Sequence, residues 1–171
     1  MSVLTKYIRD IKDFPKKGIV FKDITPLLKN PQTFAEVNRI LFEQYKQSKI
    51  DYVVGIESRG FIIGAALAVQ LKAGFIPIRK KGKLPYKTIQ KTYDLEYGTD
   101  IIEMHVDAVK KNDRVLLVDD LIATGGTLRA CAELVASQGA ELVDIAVVVE
   151  LEFLKGRKTL NPYPLYSIIK Y

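Results

Sequence analysis

The sequence predicts an α/β fold: an open, mainly parallel sheet flanked by helices. Short aliphatic and β-branched runs do not alternate with polar residues, as expected of strands covered on both faces. Segments with apolar residues at helical spacing lie between them. The resulting order is strand, helix, strand, long loop, strand, helix, strand, which implies right-handed crossovers.

The first strand falls within residues 48–57, around Tyr52, Val53, Val54, Gly55 and Ile56. The second covers residues 75–79, with Phe75, Ile76 and Ile78. Residues 115–118 and 145–149 supply two purely aliphatic runs, and residues 165–169 a last strand-like one. Phe34, Val37, Leu41 and Tyr45 mark one helix, with Asn30 and Pro31 near its start. Residues 61–71 form a second, apolar nearly all round and so expected to be buried. Residues 126–138 form a third, with Gly139 as C-cap. Ligands of open α/β sheets bind beyond the carboxyl ends of the strands. The connections after Ile56, Arg79 and Val118 are therefore where a site is expected.

A chain of 171 residues suits one domain (1–171) with a full core. Its 48% hydrophobic and 27% charged residues argue against gross disorder. No apolar run approaches the ~20 residues of a membrane span. The first ten positions mix Lys6, Arg9 and Asp10 with apolar residues, unlike a secretory signal. The expectation is a cytoplasmic protein without a membrane partner. Cys131 shares a helical pattern with Leu128, Ala132 and Val135, so it reads as a small buried hydrophobe. The lone His105 makes a zinc site improbable and is expected on the surface or in a loop. The net charge of +6 favours anionic partners, and charge alone does not separate small phosphates from nucleic acid. The densest cluster is Arg79, Lys80, Lys81 and Lys83, in a loop-like segment.

Residues 115–127 carry the most information. The run Val115-Leu116-Leu117-Val118 ends in Asp119 and Asp120, then Leu121-Ile122-Ala123 leads to Thr124-Gly125-Gly126-Thr127 at a helix start. Glycines allow close backbone approach to a phosphate, and the free N–H groups and dipole of the helix start bind the anion. No lysine follows the glycines, so this is not the nucleoside-triphosphate P-loop, nor is it a GxGxxG turn. The two acids would repel a phosphate. They make sense one ribose away, accepting hydrogen bonds from its hydroxyls and facing positive charge at C1′. This string resembles the signature of type I phosphoribosyltransferases, which bind 5-phosphoribosyl-1-pyrophosphate (PRPP). The resemblance implies that Ala123, Thr124, Gly125, Gly126 and Thr127 hold the 5′-phosphate, and that Asp119 and Asp120 act on the ribose.

Three further segments extend the resemblance. Gly55-Ile56-Glu57-Ser58-Arg59-Gly60-Phe61 lies between a strand and a buried helix, a second place for an anion. The resemblance gives Ser58 and Arg59 to pyrophosphate. Residues 79–103 are too long for an ordinary connection and read as a mobile basic lid, with a hairpin possible over 93–103. Arg79-Lys80-Lys81-Gly82-Lys83-Leu84-Pro85 and Leu95-Glu96-Tyr97-Gly98 closely resemble the adenine phosphoribosyltransferases. There Arg79, Lys80 and Lys83 would meet pyrophosphate, Glu96 would be a proton-handling or an orienting group near the purine, and Tyr97 would pack over the site. Residues 14–27 read as an extended segment with turns, which the resemblance makes part of a hood, 1–30, over the base. The Val20 carbonyl and Lys22 N–H match adenine's amino donor and N1 acceptor, Phe21 could stack on the ring, and Leu151 would line its other side.

The resemblance thus implies the type I phosphoribosyltransferase fold, with an N-terminal hood and a flexible lid loop (79–105). It implies Mg²⁺-assisted transfer from PRPP to adenine, giving AMP and pyrophosphate in purine salvage. The metal would be held through PRPP and water rather than by the protein. A homodimer is expected, with the Arg79 and Lys80 region near its interface. Two rivals remain: an enzyme for hypoxanthine, guanine or xanthine, and a PRPP-sensing regulator that binds nucleic acid. The hood and lid motifs oppose the first, and the lack of a spare DNA-binding domain opposes the second.

Overall fold

The computed structural model describes residues 3–14, 16–94 and 98–171. A 3-10 helix, Val3–Tyr7, leads into a two-stranded antiparallel ribbon, β1 (Arg9–Lys12) and β2 (Val20–Asp23). Helices α1 (Thr25–Lys29) and α2 (Pro31–Tyr45) follow. Asn30 caps α2 in full: its side chain accepts from the N–H groups of Gln32 and Thr33, both at 3.0 Å, and Pro31 occupies the first turn.

The main sheet is built from β3 (Tyr52–Ile56), β4 (Gly74–Lys80), β5 (Thr88–Asp94), β6 (Thr99–His105), β7 (Arg114–Ile122), β8 (Glu141–Glu150) and β9 (Leu165–Lys170). Helix α3 (Arg59–Leu71) joins β3 to β4, α4 (Gly126–Ala136) joins β7 to β8, and α5 (Gly156–Leu160) precedes β9. The strand order is β5-β6-β4-β3-β7-β8-β9. The five strands from β4 to β9 are parallel, and β6 and β5 are antiparallel at the edge.

Two cores sandwich the sheet. Val115 and Leu117 face α4, among Leu128, Cys131 and Val135, whereas Leu116 and Val118 face α2 and α3, among Val37, Leu41, Ile63 and Leu67. All four strand residues are fully buried. That is why this segment shows no polar alternation. From β3 the chain crosses to β4 on one side and later returns to β7 on the other. The loops leaving β3 and β7 therefore diverge at a topological switch point, where a crevice opens.

Six expectations need correction. First, β7 continues through Asp119 and Asp120 to Ile122, paired with β8 along its length, rather than ending at Val118. Second, residues 79–105 are mostly not loop. β5 and β6 pair over seven residues from Thr88↔His105 to Asp94↔Thr99, and β6 joins β4 through Arg79↔Glu103 and Lys80↔Ile102. Third, α3 is not buried on every side: Val69 is 80% and Ile62 47% exposed. Fourth, residues 14–27 include the start of α1 as well as extended chain. Fifth, His105 is not a free surface or loop residue: it ends β6, and its Nε2 is buried without a hydrogen-bond partner. Sixth, α4 ends at Ala136 with Ser137 as C-cap, rather than at 138 with Gly139.

Candidate active site

A cavity of about 520 Å³ opens at the carboxyl ends of β3 and β7. Helices α3 and α4 both begin at its wall. Neither has a side-chain cap, and neither carries an acid in its first turn. The short helices α1 and α5 also lack a side-chain cap, so what sets α3 and α4 apart is that both start on the cavity wall. At α3 and α4 the first N–H groups and the positive dipole ends are left facing the cavity. Two helix starts aimed into one crevice form a site for two anionic groups.

The α4 start is shaped by Gly125, which takes φ +87°, a left-handed conformation favouring glycine, and whose carbonyl accepts from Arg129 N–H at 2.9 Å. Ala123, Thr124, Gly126 and Thr127 complete this wall. The α3 start is formed by Ser58 and Arg59, and the Glu57–Ser58 peptide is cis.

Asp119 and Asp120 lie on the cavity lining. Asp120 is 5% exposed and paired with the Arg59 guanidinium through Oδ2 and Nε. The Asp120 N–H donates to Asp119 Oδ1 at 2.9 Å. Burial, and then the neighbouring Asp120 carboxylate, push the Asp119 carboxyl well above the usual range. Asp119 is also gripped sterically. A Cβ on Gly60 would lie 2.8 Å from the Val118 carbonyl oxygen and 3.0 Å from Asp119 Oδ1, so only glycine lets α3 approach β7 this closely.

The basic residues already have partners. Arg79 Nε donates to Glu57 Oε2 at 2.7 Å, its Nη1 donates to the Lys83 carbonyl at 3.0 Å, and Lys83 Nζ stands 3.6 Å from Glu57 Oε1. Burial acts to raise the Glu57 carboxyl, but Arg79, the Lys80 N–H and Lys83 together hold it below the usual range. Lys80 Nζ pairs with Asp100 at 2.9 Å, which lowers Asp100 and raises Lys80. Ser58, Arg59 and Lys80 line the cavity, whereas Arg79 and Lys83 stand behind them around Glu57. Glu103, 2% exposed, organises the turn after β4 by accepting the N–H groups of Lys83 and Leu84, both at 3.1 Å.

The hood meets this site through Arg59, whose guanidinium lies 5.4 Å from the Phe21 ring centroid. Phe14 packs edge-on against the same ring at 5.3 Å. Val20 is 45% exposed. The Lys22 side chain turns away, pairing with Asp10 at 2.7 Å and lying 4.1 Å from the Tyr171 ring centroid. Leu151 is buried, and its N–H donates to the Ile122 carbonyl at 3.0 Å, beside the wall formed by residues 123–127. Val20, Phe21, Lys22 and Leu151 border the cavity's surroundings rather than its lining. Glu96 and Tyr97 lie outside the described residues.

Sequence reasoning missed Glu57, Gly60, Tyr93 and Asp100. Tyr93 lines the cavity, half-buried between Thr127 and Asp100. Burial pushes its phenol up, the hydrogen bond with Thr127 acts the other way, and the Asp100 charge raises it further. Only Glu57 and Gly60, adjacent to Ser58 and Arg59, could have been suspected from position. Nothing local marks Tyr93 or Asp100.

Residues 23–170 match the family model of the phosphoribosyl transferase domain, so fold and site define a phosphoribosyltransferase. The adenine phosphoribosyltransferase of Syntrophotalea carbinolica is 57% identical over 171 residues, covering all of both chains. That of Rhodothermus marinus, as a crystal structure, is 51% identical with TM-score 0.94 and covers 98% of this chain and 96% of its own. The Saccharomyces cerevisiae enzyme, solved with an imino-altritol bisphosphate and adenine, is 42% identical with TM-score 0.91, covering 96% of each chain. The chain belongs to the adenine phosphoribosyltransferase family, enzymes of pentosyl transfer.

Proposed function

We propose that this chain transfers the 5-phosphoribosyl group of PRPP to adenine, giving AMP and pyrophosphate in purine salvage. The observation that carries the reading is the pair of uncapped helix starts, with two carboxylates between them. PRPP is a ribose with a phosphate at one end and a pyrophosphate at the other. Its 5′-phosphate fits the N–H groups of residues 124–127 at α4, and its pyrophosphate fits Ser58 and Arg59 at α3, with Lys80, Arg79 and Lys83 behind. Asp119 and Asp120 then accept hydrogen bonds from the ribose hydroxyls and stabilise positive charge at C1′ as the bond between C1′ and the pyrophosphate oxygen breaks and intact pyrophosphate leaves. Adenine N9 takes C1′ with inversion.

The donor set suits a hard cation held mainly by substrate. Two adjacent carboxylates face the cavity, and among the described residues no cluster of three or more His, Cys, Asp or Glu could hold a metal alone. Bound with PRPP, Mg²⁺ would neutralise charge on the leaving pyrophosphate. Asp119 and Asp120 are the residues that would face it, through water and the ribose oxygens.

Base selection falls to the hood, 1–30; of the lid, 79–105, Glu96 serves as the proton-handling or orienting group for the purine and Tyr97 as the residue that packs over the site. In the hood, Phe21 stacks on the purine and Leu151 closes the opposite side. The Lys22 side chain is engaged elsewhere, so any contact of residues 20–22 with adenine's polar edge falls to backbone groups of β2 that the ladder with β1 does not use. Hypoxanthine or guanine would face like groups there, at about 1–3 kcal/mol per mispaired buried group. Incubating each free base with PRPP and Mg²⁺ and reading out nucleotide tests the assignment. AMP should form at least tenfold faster than any other nucleotide, and preferential formation of IMP or GMP would refute it.

The assembly is a homodimer in the cytoplasm. Support comes from α3, where Ile62, Ala65 and Val69 expose an apolar stripe of one face, next to the site that α3 begins. No helix among the described residues is long and apolar enough to cross a membrane. Val69→Asp should convert a dimer to a 19.3 kDa monomer in sedimentation. A monomeric parent chain would refute this surface as an interface.

A further inference from the structure

Gly156 opens α5 directly after Lys155, whose φ of +56° turns the chain sharply. Its backbone lies against the loop of residues 123–127. A Cβ on Gly156 would sit 2.3 Å from the Ala123 carbonyl oxygen and 2.9 Å from Ile122 Cγ1. A Cβ on Gly125 would in turn sit 2.6 Å from the Gly156 carbonyl oxygen. Two glycines thus bring two stretches of backbone together with no side chain between them.

The segment that presents Gly156 is tied down on both sides. Arg157 donates to Glu150 Oε1 at 3.0 Å and Oε2 at 2.6 Å, and Glu150, 4% exposed, also accepts from Ser167 Oγ at 2.5 Å. From α4, Arg129 donates to the carbonyl oxygens of Thr159, at 3.3 Å, and Asn161. β8 and α4, which flank the loop, therefore both grip α5.

We propose that Gly156 is a positioning residue for the 5′-phosphate, a rigid backbone stop that sets where the N–H groups of residues 124–127 point. The inference rests on the reading of that loop given above. A methyl group at 156 meets a backbone carbonyl, not a flexible side-chain tip, so the loop or α5 must move. Displacements of about 0.5 Å already spoil a preorganised site. The nearest atoms to a Cβ on Gly156 belong to Ala123 and Ile122 and not to α3, so the pyrophosphate side should be spared.

The test is calorimetric titration of wild-type and Gly156→Ala chains with ribose 5-phosphate and, separately, with pyrophosphate, both with Mg²⁺. Ribose 5-phosphate affinity should fall at least tenfold and pyrophosphate affinity less than twofold, with KM for PRPP rising more than kcat falls. Equal losses for both ligands, or none, would overturn the inference. If Gly156→Ala does not fold, Arg129→Gln carries the same comparison: a selective loss of at least threefold supports the inference, and an unselective or absent loss overturns it. A wild-type chain that fails to bind ribose 5-phosphate would sink the site reading as well, whereas wild-type binding with an unchanged variant sinks this inference alone.

Discussion

Asp119→Asn should lower kcat for AMP formation by about 10²–10³-fold, the ~2.7–4 kcal/mol typical of removing one preorganised electrostatic group. The same change should leave the fold intact and raise the melting temperature at neutral pH. The Asp119 carboxyl holds its proton to higher pH in the folded chain than in the unfolded one, because burial and the Asp120 charge oppose ionisation. Its contribution is therefore fully present below the unfolded carboxyl range and is lost as pH rises through the raised folded value. Asparagine keeps an oxygen to accept the Asp120 N–H and removes the charge. Activity and stability should move in opposite directions, read from initial rates and thermal melts. A variant that is less stable and equally active would show Asp119 to be structural.

Gly60→Ala should be nearly as damaging, with no titratable group lost. The new methyl would press on the Val118 carbonyl and the Asp119 backbone, both held in the central sheet. Overpacking of this kind costs about 1–3 kcal/mol of stability, measurable by denaturant titration. Because the strain falls on Asp119 and on the start of α3, kcat/KM for PRPP should drop on the order of 10²-fold, as expected for an ångström-scale misplacement. Unchanged kinetics would show that α3 can retreat from β7 without disturbing the acids.

How far the sequence revealed this molecule depended on how local each signal was. Strands β3, β7 and β8 were legible because burial on both faces leaves β-branched runs, and α4 because of its apolar stripe, although the helix ends at Ala136 rather than at Gly139. The cavity wall at residues 123–127 was legible for the same reason: strand, glycines and helix start are contiguous. The ribbon of β5 and β6 was not. Thr88-Ile89-Gln90-Lys91-Thr92-Tyr93-Asp94 mixes polar residues as an edge strand does, and pairing with β4 is a tertiary event. The polar Asp119 and Asp120 hid the continuation of β7. The helical spacing of α3 gave no hint that Val69 faces outward, since an apolar residue at helical spacing reads as core whether or not it is covered. The partnerships Arg79–Glu57 and Lys80–Asp100 link residues brought together only by neighbouring strands.

Those partnerships bear on turnover. In the proposed reaction a departing pyrophosphate would otherwise strand a cluster of cations in a partly dehydrated crevice, and the electrostatic cost would slow its exit. Glu57 and Asp100 stand ready as resident counterions, so each guanidinium and ammonium regains a carboxylate as the product leaves. Affinity for the leaving group is then the difference between two anions competing for the same cations, which permits firm capture during bond cleavage and prompt clearance afterwards.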